Sequence, residues 1–327
     1  MEQGLNIKRA IITGATGMIG ATLTRLLLAD GVEVTAVIRP DSPKRNQLPE
    51  HEKLHIAECS LEELKSLSLT GTYDAWFHLG WMGTYGDSRN DVYLQNRNIT
   101  QTLDAVTVAH HVGCRVFVGA GSQAEYGRVM ENVVQEDNKG EPAGIPLNEY
   151  VPERPENGYG IAKLCAGRLS RILCQKYGIR HVWTRFLSVY GPFDNSYTMV
   201  MSGIRQMLRG ESPEYTKGEQ MWDYIYSEDA ARAMYLAAKY GSDQAVYCIG
   251  SGTARPLASY ICQIRDAAAP GRAIGIGKLP YPPGQVMYLC ADISKLTKDT
   301  GFSPEVSFED GIQRTVEWCR KEMKRKE

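Results

Sequence analysis

The stretch Ile11-Ile12-Thr13-Gly14-Ala15-Thr16-Gly17-Met18-Ile19-Gly20 is an apolar strand that runs into three spaced glycines and then into a helical pattern marked by Leu23, Leu26 and Leu27. Strand, glycine turn and helix in that order are what a dinucleotide site requires. Gly14 permits the tight turn, Gly17 lets backbone approach a pyrophosphate, and Gly20 allows the helix to pack on the sheet. The helix N-terminus then faces the phosphate charge. The spacing is Gly-x-x-Gly-x-x-Gly rather than Gly-x-Gly-x-x-Gly, and an ordinary strand-to-helix turn is the competing reading.

Outward from this loop, β-branched runs at 10–13, 32–38, 73–79, 115–118 and 181–185 read as strands. Amphipathic stretches at 17–29, 90–110 and 159–177 read as helices between them. Ser60-Leu61-Glu62-Glu63 has the form of a capping box opening a shorter helix. Strand and helix alternating in this way predict an α/β fold with a doubly wound parallel sheet and ligands at the carboxyl ends of its strands. The pattern loosens after residue 186, where Gly191-Pro192, Glu211-Ser212-Pro213 and the 280–284 run punctuate shorter elements. Residues 1–185 therefore read mainly as the cofactor domain and 186–327 mainly as a substrate lobe, with some chain returning to the first. The segment 128–157, rich in Glu, Asn, Gly and Pro, reads as a surface insertion beside the site.

Tyr159-Gly160-Ile161-Ala162-Lys163 lies in the third helical stretch. A four-residue spacing puts the phenol and the ammonium on one helix face, about one turn apart. A free tyrosine, with a pKa of about 10, is a poor acid or base at neutral pH, and a neighbouring cation is expected to lower that value. The pair gains its weight from the glycine loop, which would deliver a cofactor to the same place.

At 327 residues and 43% hydrophobic content the chain can bury a large core. Its 37 basic and 38 acidic residues are interspersed, which argues against nucleic acid or an anionic membrane as partner. Lys321, Lys324, Arg325 and Lys326 read as a solvated helix end. Eight scattered cysteines without Cys-x-x-Cys spacing suggest reduced thiols in a cytoplasmic protein. There is no secretory signal pattern and no apolar run long enough to span a bilayer. His110 and His111 have no ligands at metal spacing, so no metal site is expected.

These motifs, with Gly121-Ser122-Gln123-Ala124-Glu125-Tyr126-Gly127, resemble the extended short-chain dehydrogenase/reductases, the nucleotide-sugar epimerases, dehydratases and 4-ketoreductases with a Rossmann cofactor domain. The likeness spans nearly the whole chain. Further landmarks are Phe186-Leu187-Ser188-Val189-Tyr190-Gly191-Pro192, Trp222-Asp223-Tyr224-Ile225-Tyr226-Ser227-Glu228-Asp229, and Ala291-Asp292-Ile293-Ser294-Lys295-Leu296 followed by Gly301-Phe302-Ser303-Pro304. The resemblance implies a tetrad of Asn98, Ser122, Tyr159 and Lys163. Tyr159 would exchange a proton with a sugar oxygen while hydride moves at that carbon. Lys163 would lower the Tyr159 pKa and bind the nicotinamide ribose, Ser122 would orient the reacting oxygen, and Asn98 would hold the water or backbone that links Lys163 to solvent. Cofactor contacts implied in the same way are Gly14, Thr16, Gly17, Met18, Ile19, Gly20, Arg39, Leu79, Gly80, Tyr159 and Lys163.

The family's 4,6-dehydratases carry an Asp-Glu pair directly after the hydroxyl residue, where this chain has Gln123 and Ala124. Neither can act as acid or base, so elimination is disfavoured and Gln123 suits sugar recognition. Arg39 stands where NAD binders of the family usually carry Asp, which favours NADP(H), with NAD(H) the alternative because Asp41 follows closely. The wording of the Ser122 motif is similar to the CDP-abequose/paratose branch. The leading expectation is therefore NADPH-dependent reduction of an NDP-4-keto-6-deoxyhexose at C4. The alternatives are a 4-epimerase with tightly held NAD and, more remotely, an inactive NADP-binding regulator. Two arginines that many relatives use for the substrate diphosphate are absent at Trp222 and near 282–284, leaving Arg205, Arg209 or Ser188 for that task. Trp81, Thr84 and Tyr85 are sugar-facing candidates, Trp81 also reading as a loop anchor and Trp222 as a lobe-packing residue. By resemblance, the helices holding Asn98 and Tyr159 would form a homodimer.

Overall fold

A computed structural model describes residues 4–128, 135–136 and 142–325. In chain order it contains β1 (Arg9–Thr13), α1 (Met18–Ala29), β2 (Glu33–Ile38), β3 (Leu54–Glu58), β4 (Ala75–His78), α2 (Val92–His111), β5 (Val116–Ser122), and a two-residue pair β6 (Gln135–Glu136) and β7 (Pro142–Ala143). Then follow α3 (Gly158–Tyr177), β8 (Arg180–Phe186), β9 (Ser188–Tyr190), α4 (Met199–Leu208), β10 (Met221–Trp222), β11 (Tyr224–Tyr226) and α5 (Ser227–Tyr240). The remainder is β12 (Ala245–Ile249), β13 (Arg255–Pro256), α6 (Leu257–Ala268), β14 (Tyr288–Leu289), α7 (Ser294–Thr300) and α8 (Phe308–Lys324).

A seven-stranded sheet runs in the order β12-β8-β5-β4-β1-β2-β3, every pairing parallel. Helices cover both faces, so the central strands read as continuous apolar runs, with Ile11, Ile12, Trp76, Phe77, Phe117 and Val118 fully buried. Each such side chain contributes about 1.5–3 kcal/mol by leaving water. The strand order reverses between β1 and β4, and the chain leaves both strands there into loops at their carboxyl ends, which is where an open sheet of this kind holds a ligand. The expected doubly wound sheet is present. β3 and β12 complete its two ends, and neither is among the strands that the sequence pattern marks.

The second lobe contains the parallel pair β9–β11 and the three-stranded arrangement β13-β10-β14. α4, α6 and α8 pack around Met201, Ile204, Ile264, Ile312 and Val316. Two local readings are corrected. The segment after Ser60 is a 3₁₀ helix, Leu61–Ser66, and Ser60 Oγ bonds the Glu63 carboxylate at 2.9 Å instead of a backbone N–H, so the capping box does not form. β4 is shorter than 73–79 because the Tyr73 N–H goes to the Val112 carbonyl and its phenol to Thr35. The core of the expected 128–157 insertion lies outside the described residues, as does Lys326.

Candidate active site

The glycine loop joins β1 to α1. Gly14 has φ +73°, and a Cβ there would lie 2.7 Å from the Gly80 nitrogen. At Gly20 a Cβ would lie 2.2 Å from the Gly14 carbonyl oxygen, so helix and loop meet backbone to backbone. The Leu79 N–H donates to Thr13 O at 3.0 Å, which seats Leu79 and Gly80 beside the loop. α1 begins at Gly17 with no side-chain cap and no acidic residue in its first turn. Its leading N–H groups, including those of Met18 and Ile19, are thus left for an anion. This cradle fits a dinucleotide pyrophosphate. Arg39 follows β2 and is exposed, with no carboxylate at its own position.

α3 is started by Asn157, whose Oδ1 accepts the Gly160 N–H at 2.8 Å, and that start aims Tyr159 and Lys163 together at the end of β5. The Tyr159 phenol hydrogen-bonds Ser122, and the Arg89 guanidinium lies 4.3 Å from its ring centroid. Burial pushes the phenol above its ordinary pKa. The Ser122 hydrogen bond and the Arg89 charge oppose that rise, and the Glu125 charge adds to it. Lys163 is buried and pulled down to about 7 by desolvation, with the Glu125 charge acting to raise it. Its Nζ donates to Ala120 O at 2.6 Å and sits 3.7 Å from the Trp81 ring centroid. The expectation that Lys163 lowers the Tyr159 pKa is therefore not met in this arrangement. The ammonium is engaged by a carbonyl and an indole face, and burial dominates the phenol.

Asn98, on α2, bonds the backbone of the loop after β4. Its Oδ1 accepts the Met82 N–H at 2.9 Å, and its Nδ2 donates to Met82 O at 2.9 Å and to Gln95 Oε1 at 3.3 Å. Gln95 Oε1 also accepts the Trp81 Nε1–H at 3.0 Å. Asn98 is a clamp on the loop after β4, and through Gln95 it holds the indole that covers Lys163. Thr84 is exposed in that loop, and Tyr85 stacks on Tyr197 of the second lobe with centroids 3.8 Å apart. His78, which the sequence reading passed over, lies between Thr13 Oγ1 at 2.8 Å and Thr102 Oγ1 at 3.3 Å. Burial, and then the Lys163 charge, pull it down to about 3, so it is neutral.

Gln123 is half-buried in the 3₁₀ turn Gln123–Glu125, with Ala124 buried next to it. Within the C-terminal part of the chain, a cavity of about 430 Å³ is lined by Tyr197, Gln206, Trp222, Tyr224, Gln285 and neighbouring residues. Trp222 Nε1 donates to Ser188 Oγ at 2.8 Å, which joins these two predicted residues. Arg205 is not brought to them. It interacts with Cys319 on α8, and its Nε is buried without a partner, because it lies on the face of α4 turned to that helix. Arg209 is ion-paired with Glu211 at the surface. No Lys or Arg is among the residues that line the cavity. Two larger hollows of about 740 Å³ run along β3 and contain none of the tetrad. Among the described residues there is no cluster of His, Cys, Asp or Glu that could hold a metal ion, and no helix is long and apolar enough to cross a membrane.

Comparison with known proteins agrees with this architecture. The chain is 28% identical over 200 residues to dTDP-glucose 4,6-dehydratase of Shigella flexneri, covering 59% of this chain and 55% of that protein. It is 23% identical over 330 residues to the enzyme of that name from Haemophilus influenzae, covering 94% and 96%. The matched stretches span about half the length of most of the curated relatives. Among solved structures it is similar to a UDP-N-acetylglucosamine 4-epimerase from Methanobrevibacter ruminantium in complex with UDP-N-acetylmuramic acid. That likeness has a TM-score of 0.83 and 25% identity over 97% of this chain and 100% of the other. The sequence profile described as the NAD dependent epimerase/dehydratase family matches residues 10–250, and with the cradle, the sheet order and the Ser122–Tyr159–Lys163 cluster in place, the chain belongs to that family.

Proposed function

We propose that this chain reduces the C4 ketone of an NDP-4-keto-6-deoxyhexose with NADPH. The observation that carries the reading is the pairing of a buried, protonated Tyr159 hydrogen-bonded to Ser122 with the side chains of Gln123 and Ala124, which offer no acid or base for elimination. Bound in the glycine cradle, the nicotinamide cofactor supplies the hydride. The residues do the rest. Ser122 and Tyr159 receive the ketone oxygen, and Tyr159, which burial keeps protonated, gives it a proton as the alcohol forms. Lys163 stays on the same helix face to engage the ribose and return the proton. Asn98 and Gln95 keep the Trp81–Thr84 loop closed beside the reacting carbon, and Trp222 with Ser188 lines the nucleotide end. Exposed Arg39, standing where NAD binders of the family usually carry Asp, supports NADP over NAD.

A second reading, a 4-epimerase that retains NAD, is favoured by the family's description as NAD dependent and by the fold likeness to a UDP-sugar 4-epimerase. Following NADPH absorbance with CDP-, dTDP-, GDP- and UDP-4-keto-6-deoxyhexoses separates the two. Oxidation with one nucleotide supports the reductase, whereas no oxidation, with NAD released on denaturation, supports the epimerase. If Tyr159→Phe turns over like the parent protein, both fail. The exposed stripe Ile161, Cys165, Leu169 and Ile172 along α3 supports a homodimer built on α2 and α3, and the free cysteines fit the cytoplasm.

A further inference from the structure

Glu125 is the residue of the Gly121–Gly127 segment that neither the cofactor nor the substrate accounts for. It has no exposed surface. Its Oε1 accepts the Ser122 N–H at 2.9 Å and the Trp183 Nε1–H at 3.0 Å, and its Oε2 accepts the Arg185 Nε–H at 2.7 Å. The Ser122 hydroxyl in turn accepts the Ala124 N–H at 3.2 Å, which closes a capping box around the turn. The backbone is shaped to admit this carboxylate: a Cβ at Gly121 would lie 2.3 Å from Trp183 Nε1 and 2.5 Å from Glu125 Oε1. Arg185 continues the network to the Tyr126 hydroxyl at 2.8 Å and to Glu153 at 2.7 Å.

We propose that Glu125 is a positioning residue of the active site, a buried carboxylate that fixes the Ser122 turn from behind and sets one negative charge beneath Tyr159 and Lys163. The inference rests on reading those two residues as the proton pair. A merely structural ion pair would not need to hold the backbone of the residue that bonds the catalytic phenol. The charged and titratable groups around the pair are few. Lys163 faces Glu125, neutral His78 from β4 and Tyr159 on its own helix. Tyr159 faces Ser122, Arg89 and Glu125. Glu125 is thus the carboxylate that acts on both, and its charge favours the protonated form of each. In the reductive direction Tyr159 must carry its proton, so loss of the Glu125 charge brings the alkaline fall in turnover to lower pH.

The test is the pH profile of kcat for the full chain with NADPH and its accepted 4-keto sugar nucleotide, measured for Glu125→Gln, Glu125→Asp and Glu153→Gln. Glu125→Gln should move the alkaline limb down by about one pH unit. Glu125→Asp keeps the charge but draws it back from Ser122, so kcat should fall at least several-fold with the limb unmoved. Glu153→Gln removes the other carboxylate on Arg185 and should leave the limb in place. A Glu125→Gln limb that coincides with the parent's, or an equal shift in Glu153→Gln, overturns the inference. Should Glu125→Gln not fold, an unchanged kcat in Glu125→Asp overturns it instead. Turnover that survives Tyr159→Phe would instead discredit the proton pair itself.

Discussion

Replacing Lys163 by Met should abolish a specific pH dependence of stability. Lys163 is fully enclosed, and burial brings its pKa from the ordinary 10.5 to about 7 in the fold. The unfolded chain therefore binds more protons than the native one between these values, and stability must rise with pH across that window. The sign is the reverse of that for a lysine that gains a carboxylate partner. One pH unit is worth about 1.4 kcal/mol once Lys163 is deprotonated in the native state. Between pH 7 and pH 9 the gain is roughly 2 kcal/mol, because the native group is still half protonated at the start. In a chain of this length that is a rise of roughly 3 °C in melting temperature. The measurement is thermal unfolding of the cofactor-free protein and of Lys163→Met across pH 7–9, taken as the difference between the two so that all other titrating groups cancel. The difference should move in favour of the parent by this amount. A difference that stays flat would mean that Lys163 titrates near its ordinary value, and the enclosure by Ala120 O and the Trp81 face would not be what sets its proton affinity.

Asn98→Ala should cost about 2–4 kcal/mol of stability, since it strands the Met82 N–H and carbonyl and removes one of the two bonds to the Gln95 carbonyl; hydrogen exchange at Met82 should speed up, and unchanged protection would disprove the clamp. If the proposed NADP preference rests on Arg39, Arg39→Glu should weaken NADP by at least ~10-fold relative to NAD in direct binding, and an unchanged ratio would remove Arg39 from cofactor selection. Ile172→Glu, placed at 60% exposure on the outer stripe of α3, should yield monomers by light scattering with the fold intact; an unchanged mass would remove α3 from the interface.

Much of this molecule was legible along the chain because it is local. The β1–glycine loop–α1 unit, the alternation of strands and helices in the first half and the one-turn spacing of Tyr159 and Lys163 depend on periodicity and on the steric freedom of glycine, and these act over a few residues. The choice of Ser122 and Asn98 came from resemblance; Ser122 lies beside Tyr159, and Asn98 bonds Met82 and Gln95 at the loop after β4. β12 was missed because its place in the sheet is set by pairing with β8, some sixty residues earlier. Side-chain direction was less accessible still. Arg205 was a plausible diphosphate ligand until the packing of α4 on α8 turned it away from the cavity. Lys163 was expected to serve the phenol, and the bulk of Trp81 and the free carbonyl of Ala120 gave it another resting place. Glu125 was legible only as a member of the Gly121–Gly127 motif, since its meaning lies in Trp183 and Arg185 reaching it from β8. Sequence alone determined that Tyr159 and Lys163 stand one helical turn apart in a chain that opens on a glycine loop; only the tertiary structure decided the protonation of that pair, because desolvation and the partners that offset it are properties of packing between distant segments.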